Sequence, residues 1–353
     1  MLSLCMIVKN EAANLGECLS KVASFVDEII IVDTGSTDDT KGIAAYFTDK
    51  IFEFTWCDDF AAARNFSLSQ AHNDWVLVLD ADEYVERFSR QDVLKLVNKK
   101  SRQHTVGRIQ RINVLDDTVG SRKVFERINR LFNRNLFCYK GIIHEQVVLK
   151  DGSHYAIELV DIAVEHIGYT SEILARSGKV ARNIGLLEKA LVDHPNDPYL
   201  YYQIGKSYYL LKRYDLAQAS FTRALGFPLD FRLEYVSELI ETYGYALIND
   251  GKYTEAMILE EYATYFEDSP DFFFIMGLIY MNNALFTSAV EYFLSCTRFS
   301  CGKAEGITTY LPYHNVGVIY EVLGHRELAL QHYQLCGEYE PARQRCHALK
   351  ERG

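Results

Sequence analysis

Three carboxylates close an apolar run in this chain, where Trp75-Val76-Leu77-Val78-Leu79 leads into Asp80-Ala81-Asp82-Glu83. A short unbroken apolar stretch between polar residues reads as a central parallel strand covered on both faces. Ligands of open α/β sheets sit at the carboxyl ends of such strands. Asp-X-Asp in that place offers hard oxygen donors to a divalent cation, which can be shared with a diphosphate. Pairs of acids are equally at home in solvated turns, so the tripeptide needs the rest of a site around it.

Two other predicted strands end in polar groups. Met6-Ile7-Val8 runs into Lys9-Asn10-Glu11, and Ile31-Val32 into Asp33-Thr34-Gly35-Ser36-Thr37-Asp38. As parallel neighbours they would bring Glu11 and Asp33 to the edge that carries Asp80, where a carboxylate accepts hydrogen bonds from a ribose hydroxyl or a uracil N–H. Ser36 or Thr37 also suits a helix cap, and the glycine spacing is not that of a dinucleotide fingerprint. Downstream, Gly141-Ile142-Ile143-His144-Glu145 adds an imidazole able to complete a metal's coordination and a carboxylate able to take a proton. Glu83 competes with Glu145 for the role of base. Within the basic stretch 99–140, Arg130 is the residue expected to reach phosphate.

These side chains need a scaffold, and the chain alternates accordingly. Strands are expected at 2–8, 28–32, 51–54 and around Trp75, with helices at 12–22, 38–47 and 60–71 between them. Such units imply a largely parallel sheet with right-handed crossovers. After Asp80 the pattern loosens to a helix at 90–98 and strands near 106–114, 129–132 and 147–149, a mixed and partly antiparallel extension.

Beyond about residue 171 the period becomes helical and a repeat of about 34 residues emerges. Tyr201, Ile204, Gly205, Tyr208, Ala217, Phe221 and Ala224 form one copy. Further copies carry Tyr243, Gly244 and Ala256; then Phe273, Gly277, Tyr280, Ala289 and Phe293; then Tyr313, Gly317, Tyr320, Ala329 and Tyr333. Small residues at Gly205 and Ala217 fit helices that approach closely. Template aromatics such as Tyr208, Tyr280 and Tyr320 are expected in the repeat core. Off-template Tyr202, Tyr209, Tyr235, Tyr310 and Phe272 are candidates for a concave, peptide-binding surface.

At 353 residues the chain has room for two cores, divided here as 1–168 and 169–353. A net charge of −11 argues against nucleic-acid or anionic-membrane partners, which need a basic surface. The eight cysteines include no CxxC pair, as expected of a reduced, cytoplasmic protein. No apolar run reaches membrane-spanning length, and the N-terminus lacks the pattern of a signal peptide.

Taken together, Val8-Lys9-Asn10-Glu11, Val32-Asp33-Thr34-Gly35-Ser36-Thr37-Asp38, Ala63-Arg64-Asn65 and Leu79-Asp80-Ala81-Asp82-Glu83 resemble family 2 glycosyltransferases over about the first 150 residues. With the appended repeats the chain is similar to the subgroup that ends in tetratricopeptide repeats, which includes sublancin-type peptide S-glycosyltransferases. The resemblance implies an α/β GT-A fold followed by an all-α tetratricopeptide solenoid, a UDP-sugar donor, and Mg²⁺ or Mn²⁺ at Asp82, with His144 as a further ligand. It places Asp33 at the base, Glu11 and Asp80 on the ribose side, and Val8, Ala81, Arg64 and Arg130 around the nucleotide-sugar. Glu145 or Glu83 would be the base of an inverting transfer to a peptide or protein side chain, a bacteriocin cysteine among the options. A glycan acceptor, or a catalytically dead repeat scaffold, is the alternative; a methyltransferase built on the Asp33 turn leaves the Asp80 cluster unexplained. The oligomeric state, a homodimer included, is open.

Overall fold

A computed structural model describes residues 1–98, 104–117, 120–167 and 178–351. The chain divides into two compact units, Met1–Asp116 with Lys123–Gly178, and Asp117–Arg122 with Lys179–Gly353. The boundary expected at 168–169 lies outside the described residues.

The first unit is built on ten strands among the described residues: β1 (Leu2–Val8), β2 (Glu28–Asp33), β3 (Ile51–Glu53), β4 (Trp75–Val78), β5 (Glu83–Phe88), β6 (Thr105–Asp117), β7 (Gly120–Asn133), β8 (Phe137–Lys140), β9 (Gln146–Leu149) and β10 (Ala156–His166). Eight form one sheet in the order β3-β2-β1-β4-β7-β6-β10-β5, and β8 pairs with β9. β1 runs parallel to β2 and β4, and β2 parallel to β3. β4 is central but only half parallel, since its other neighbour, β7, is antiparallel. Helices α1 (Leu15–Val22), α2 (Thr40–Ala45), α3 (Phe60–Gln70) and α4 (Arg90–Val97) accompany the sheet.

Side chains alternate across a strand, and β4 shows why its run is apolar throughout. Leu77 joins Leu4, Met6, Leu19 and Leu131 in one cluster, while Val76 and Val78 join Cys5, Ile30, Val32 and Phe132 in another. Both faces are covered, so every position must be apolar.

Strands β5, β8 and β10 were not expected. β5 carries Glu86 and Arg87 and ends the sheet order, where charges guard an exposed edge. β10 mixes half-buried Glu158 and exposed Asp161 with buried Val160 and Val164, a pattern interrupted by the register shift of its pairing with β6.

The second unit stacks antiparallel helix pairs, among them Pro198–Leu210 with Tyr214–Leu225, Pro270–Asn282 with Phe286–Cys296, and Tyr310–Val322 with Arg326–Gln334. Asp197 and Ser269 cap two of the first helices, their side chains accepting from Tyr199 N and Phe272 N, and each is followed by proline at the first helical turn. In the second copy the partner helix shortens to Tyr253–Ala256 and continues as a 3₁₀ segment, Met257–Tyr265. The small template residues do allow close approach: a Cβ on Gly205 would stand 2.4 Å from Phe221, and on Gly277 2.7 Å from Phe293. Among the off-template aromatics, Tyr202 and Phe272 are each 1% exposed and belong to the core rather than to a binding surface.

Candidate active site

The parallel neighbours β2, β1 and β4 bring their carboxyl ends to one sheet edge, and the loops that follow are laced together. Ser36 Oγ accepts from Asn10 N (2.9 Å), Asn10 Oδ1 accepts from Thr37 N (2.7 Å), and Thr40 Oγ1 accepts from Glu11 N (2.8 Å). Ser36 and Thr37 thus join two loops instead of capping α2, which begins at Thr40. Asp33 is buried and folds its own turn, its carboxylate accepting from Gly35 N and Ser36 N. Gly35 adopts φ +100, a conformation that favours glycine. The Glu11 carboxylate accepts from Asn14 Nδ2 (2.9 Å). Val8 and Ala81 have side chains buried in the core, and the Val8 carbonyl accepts from Thr34 N (2.9 Å).

The acids after β4 are not solvated turn acids. Asp80 accepts from Arg64 Nη2 at Oδ1 and from Arg130 Nη2 at Oδ2, both at 2.8 Å. Although burial alone would raise its carboxyl, the two guanidiniums hold Asp80 well below the usual carboxylate range. Arg64 also donates from Nε to Glu145, and Arg130 to Glu83 Oε1 (2.9 Å). Glu83 is fully buried, with Oε2 accepting from Asp80 N (3.0 Å) and Oε1 also facing Arg111 Nη1 (3.5 Å). Both its oxygens are engaged, which counts against Glu83 as a base. Beneath the turn, the Cys18 thiol donates to the carbonyls of Asp80 and Glu83; burial first, then the surrounding acids, push its ionisation upward and keep it a donor.

Asp82 has a neighbour that the local sequence did not announce. His144, the expected ligand, lies in the loop between β8 and β9 with φ 49, and the imidazole of His166 faces Asp82 Oδ2 through Nε2 at 3.4 Å. The register explains it: His166 stands opposite Glu83 on β5 and opposite Asn113 on β6, and its Nδ1 lies 2.8 Å from Asn113 Oδ1. The sequence signal was a histidine closing an alternating segment, but without the β10 pairing nothing connected it to Asp82. Among the described residues no three His, Cys, Asp or Glu side chains form a preformed metal cage. Mg²⁺ and Mn²⁺ need only one or two protein ligands when a diphosphate supplies the rest, so Asp82 with His166 fits a cation that arrives with a nucleotide.

Glu145 is placed by α3. Phe60 N donates to the Ile142 carbonyl (2.9 Å), and Asn65 brackets Tyr139 on β8, accepting from its N (2.8 Å) and donating to its carbonyl (2.9 Å). That seats the 141–145 loop beside Arg64. Residues 3–150 match glycosyl transferase family 2, and residues 198–228 the tetratricopeptide repeat.

The family match, over residues 3–150, is to glycosyl transferase family 2.

The chain is 35% identical over 215 residues to a TPR repeat-containing protein of Synechococcus elongatus, covering 58% of this chain and 51% of that one. It is 27% identical over 217 residues to the SPbeta prophage-derived glycosyltransferase SunS of Bacillus subtilis, covering 59% and 49%. It is 31% identical over 156 residues to an uncharacterized glycosyltransferase of Rickettsia typhi, covering 42% and 52%. The chain thus spans about half the length of these relatives. Within the region that matches the family, the edge carrying Asp33, Glu11, Asp80 and Asp82 is the candidate site.

Proposed function

We propose that the chain is a metal-dependent, inverting glycosyltransferase that moves a hexose or N-acetylhexosamine from a UDP-sugar to a peptide or protein side chain. The observation that carries this reading is the convergence of β2, β1 and β4, whose ends bring Asp33, Glu11 and Asp82 to one edge of the region that matches family 2. Asp33 and Glu11 receive the nucleoside. Asp82 and His166 hold the Mg²⁺ or Mn²⁺, which when bound supplies positive charge for the leaving diphosphate. Arg64 and Arg130 pin Asp80, and Arg64 pins Glu145 in the same grip.

In the transfer, an acceptor thiol or hydroxyl attacks the anomeric carbon opposite the diphosphate. The bond from that carbon to the diphosphate oxygen breaks with its electron pair leaving on UDP, and Glu145 takes the acceptor's proton. The repeats hold the acceptor in extended form. The eight cysteines are free thiols and no helix among the described residues is long and apolar enough to cross a membrane, in keeping with a cytoplasmic reading. The test is mass spectrometry of candidate peptides after incubation with a panel of UDP-sugars and Mn²⁺. A mass gain of one hexose or N-acetylhexosamine on a side chain supports the proposal; sugar found only on glycan acceptors refutes the peptide assignment.

A further inference from the structure

Two buried polar atoms in the charged cluster make no hydrogen bond among the described residues: Arg64 Nη1 and the Tyr139 hydroxyl. Arg64 spends Nε on Glu145 and Nη2 on Asp80, which leaves Nη1 as its spare donor. Its guanidinium lies over the Tyr139 ring, 5.6 Å from the centroid. Tyr139 is 5% exposed, its backbone is bracketed by Asn65, and its ring meets Phe132 edge-on. Burial raises its ionisation to about 12 and keeps the hydroxyl a neutral donor beside Arg64. A buried donor left without a partner is unfavourable, and a ligand that accepts from it relieves the cost.

The charge of the surroundings selects what that ligand is. In the ion pairs among the described residues, Arg64, Arg111 and Arg130 face Asp80, Glu83, Glu126 and Glu145, so carboxylates exceed guanidiniums by one there. A phosphate oxygen would enter against an excess of negative charge. A sugar hydroxyl is neutral, accepts from both spare donors, and can donate its own proton to a neighbouring carboxylate. We infer that Tyr139 Oη and Arg64 Nη1 together read a hydroxyl of the transferred sugar, making Tyr139 a determinant of which sugar is accepted. This rests on the glycosyltransferase reading of the same site.

Tyr139→Phe removes the hydroxyl and keeps the ring. Titrating the full chain calorimetrically, in Mn²⁺, with UDP, UDP-glucose, UDP-galactose, UDP-N-acetylglucosamine and UDP-N-acetylgalactosamine gives the comparison. The expected result is unchanged affinity for UDP, an affinity for the best-bound UDP-sugar lower by about 5- to 30-fold, and a melting temperature without ligand at or above that of the wild type. Deoxy analogues of that UDP-sugar complete the test: one of them binds wild type and Tyr139→Phe equally, because it lacks the hydroxyl being read. Equal weakening of UDP and UDP-sugar overturns the inference by moving the hydroxyl's partner to the nucleotide. A lowered melting temperature with unchanged sugar affinity overturns it in favour of a structural role. A wild-type chain that binds no UDP-sugar at all fails at the earlier step, the transferase reading itself.

Discussion

At the scale of single residues, the chain shows two uses of a buried carboxylate. At the candidate site, Asp80 and Glu145 share Arg64, whose side chain is 8% exposed. Removing one partner of a buried ion pair leaves an uncompensated charge, so Arg64→Ala should cost about 3–5 kcal/mol in denaturant unfolding as well as activity. At the amino-terminal ends of the strands, Glu28 accepts from Ser3 Oγ, Lys50 Nζ (2.6 Å) and His72 N (2.9 Å). Burial opposes its charge, but these donors, led by Lys50, bring it from 4.5 to about 2. A depressed carboxylate contributes stability above its unfolded value and loses it as pH falls through its folded one. Glu28→Gln should therefore be less stable by roughly 3 kcal/mol at pH 7, the gap closing between about pH 4.5 and about pH 2 in urea melts followed across pH.

Elements decide what the sequence could and could not disclose. The strand ends at Asp33, Glu11 and Asp80 were legible because apolar runs and amphipathic stretches alternate in β2, β1 and β4, and parallel neighbours share an edge. His166 and Tyr139 were not, because each reaches the site through a strand that local pattern did not reveal. For His166 that strand is β10, held between β6 and β5; for Tyr139 it is β8, tied to α3 by Asn65. Charges on edge strand β5 concealed it in the same way. In the repeats the small residues were legible, but which aromatics face inward was not: Tyr202 and Phe272 are core residues beside Tyr235 and Phe266, a matter of helix-to-helix packing. Packing at Gly277 gives a direct check, since a Cβ there meets the Phe293 ring at 2.7 Å. Gly277→Val should destabilise the chain by about 1–3 kcal/mol through overpacking, read as a lower denaturation midpoint.

For the whole molecule, division of labour is the expectation. The first unit has its own apolar clusters on both faces of the sheet, and the second has a separate series along its helices. If the repeats hold the acceptor, a chain ending at residue 178 keeps its affinity for UDP in calorimetry and loses transfer to peptide in mass spectrometry; undiminished peptide transfer would remove the repeats from acceptor binding. The central claim is sugar transfer at the Asp82 edge with a divalent cation. Its most direct measurement is the rate of UDP release from a UDP-sugar plus acceptor peptide, with Mn²⁺ or with excess EDTA, for wild type and Asp82→Asn. Wild type should release UDP in Mn²⁺ alone, and Asp82→Asn should lose about 100-fold or more with an unchanged melting temperature. Full activity of that variant, or of wild type in EDTA, would contradict the central claim.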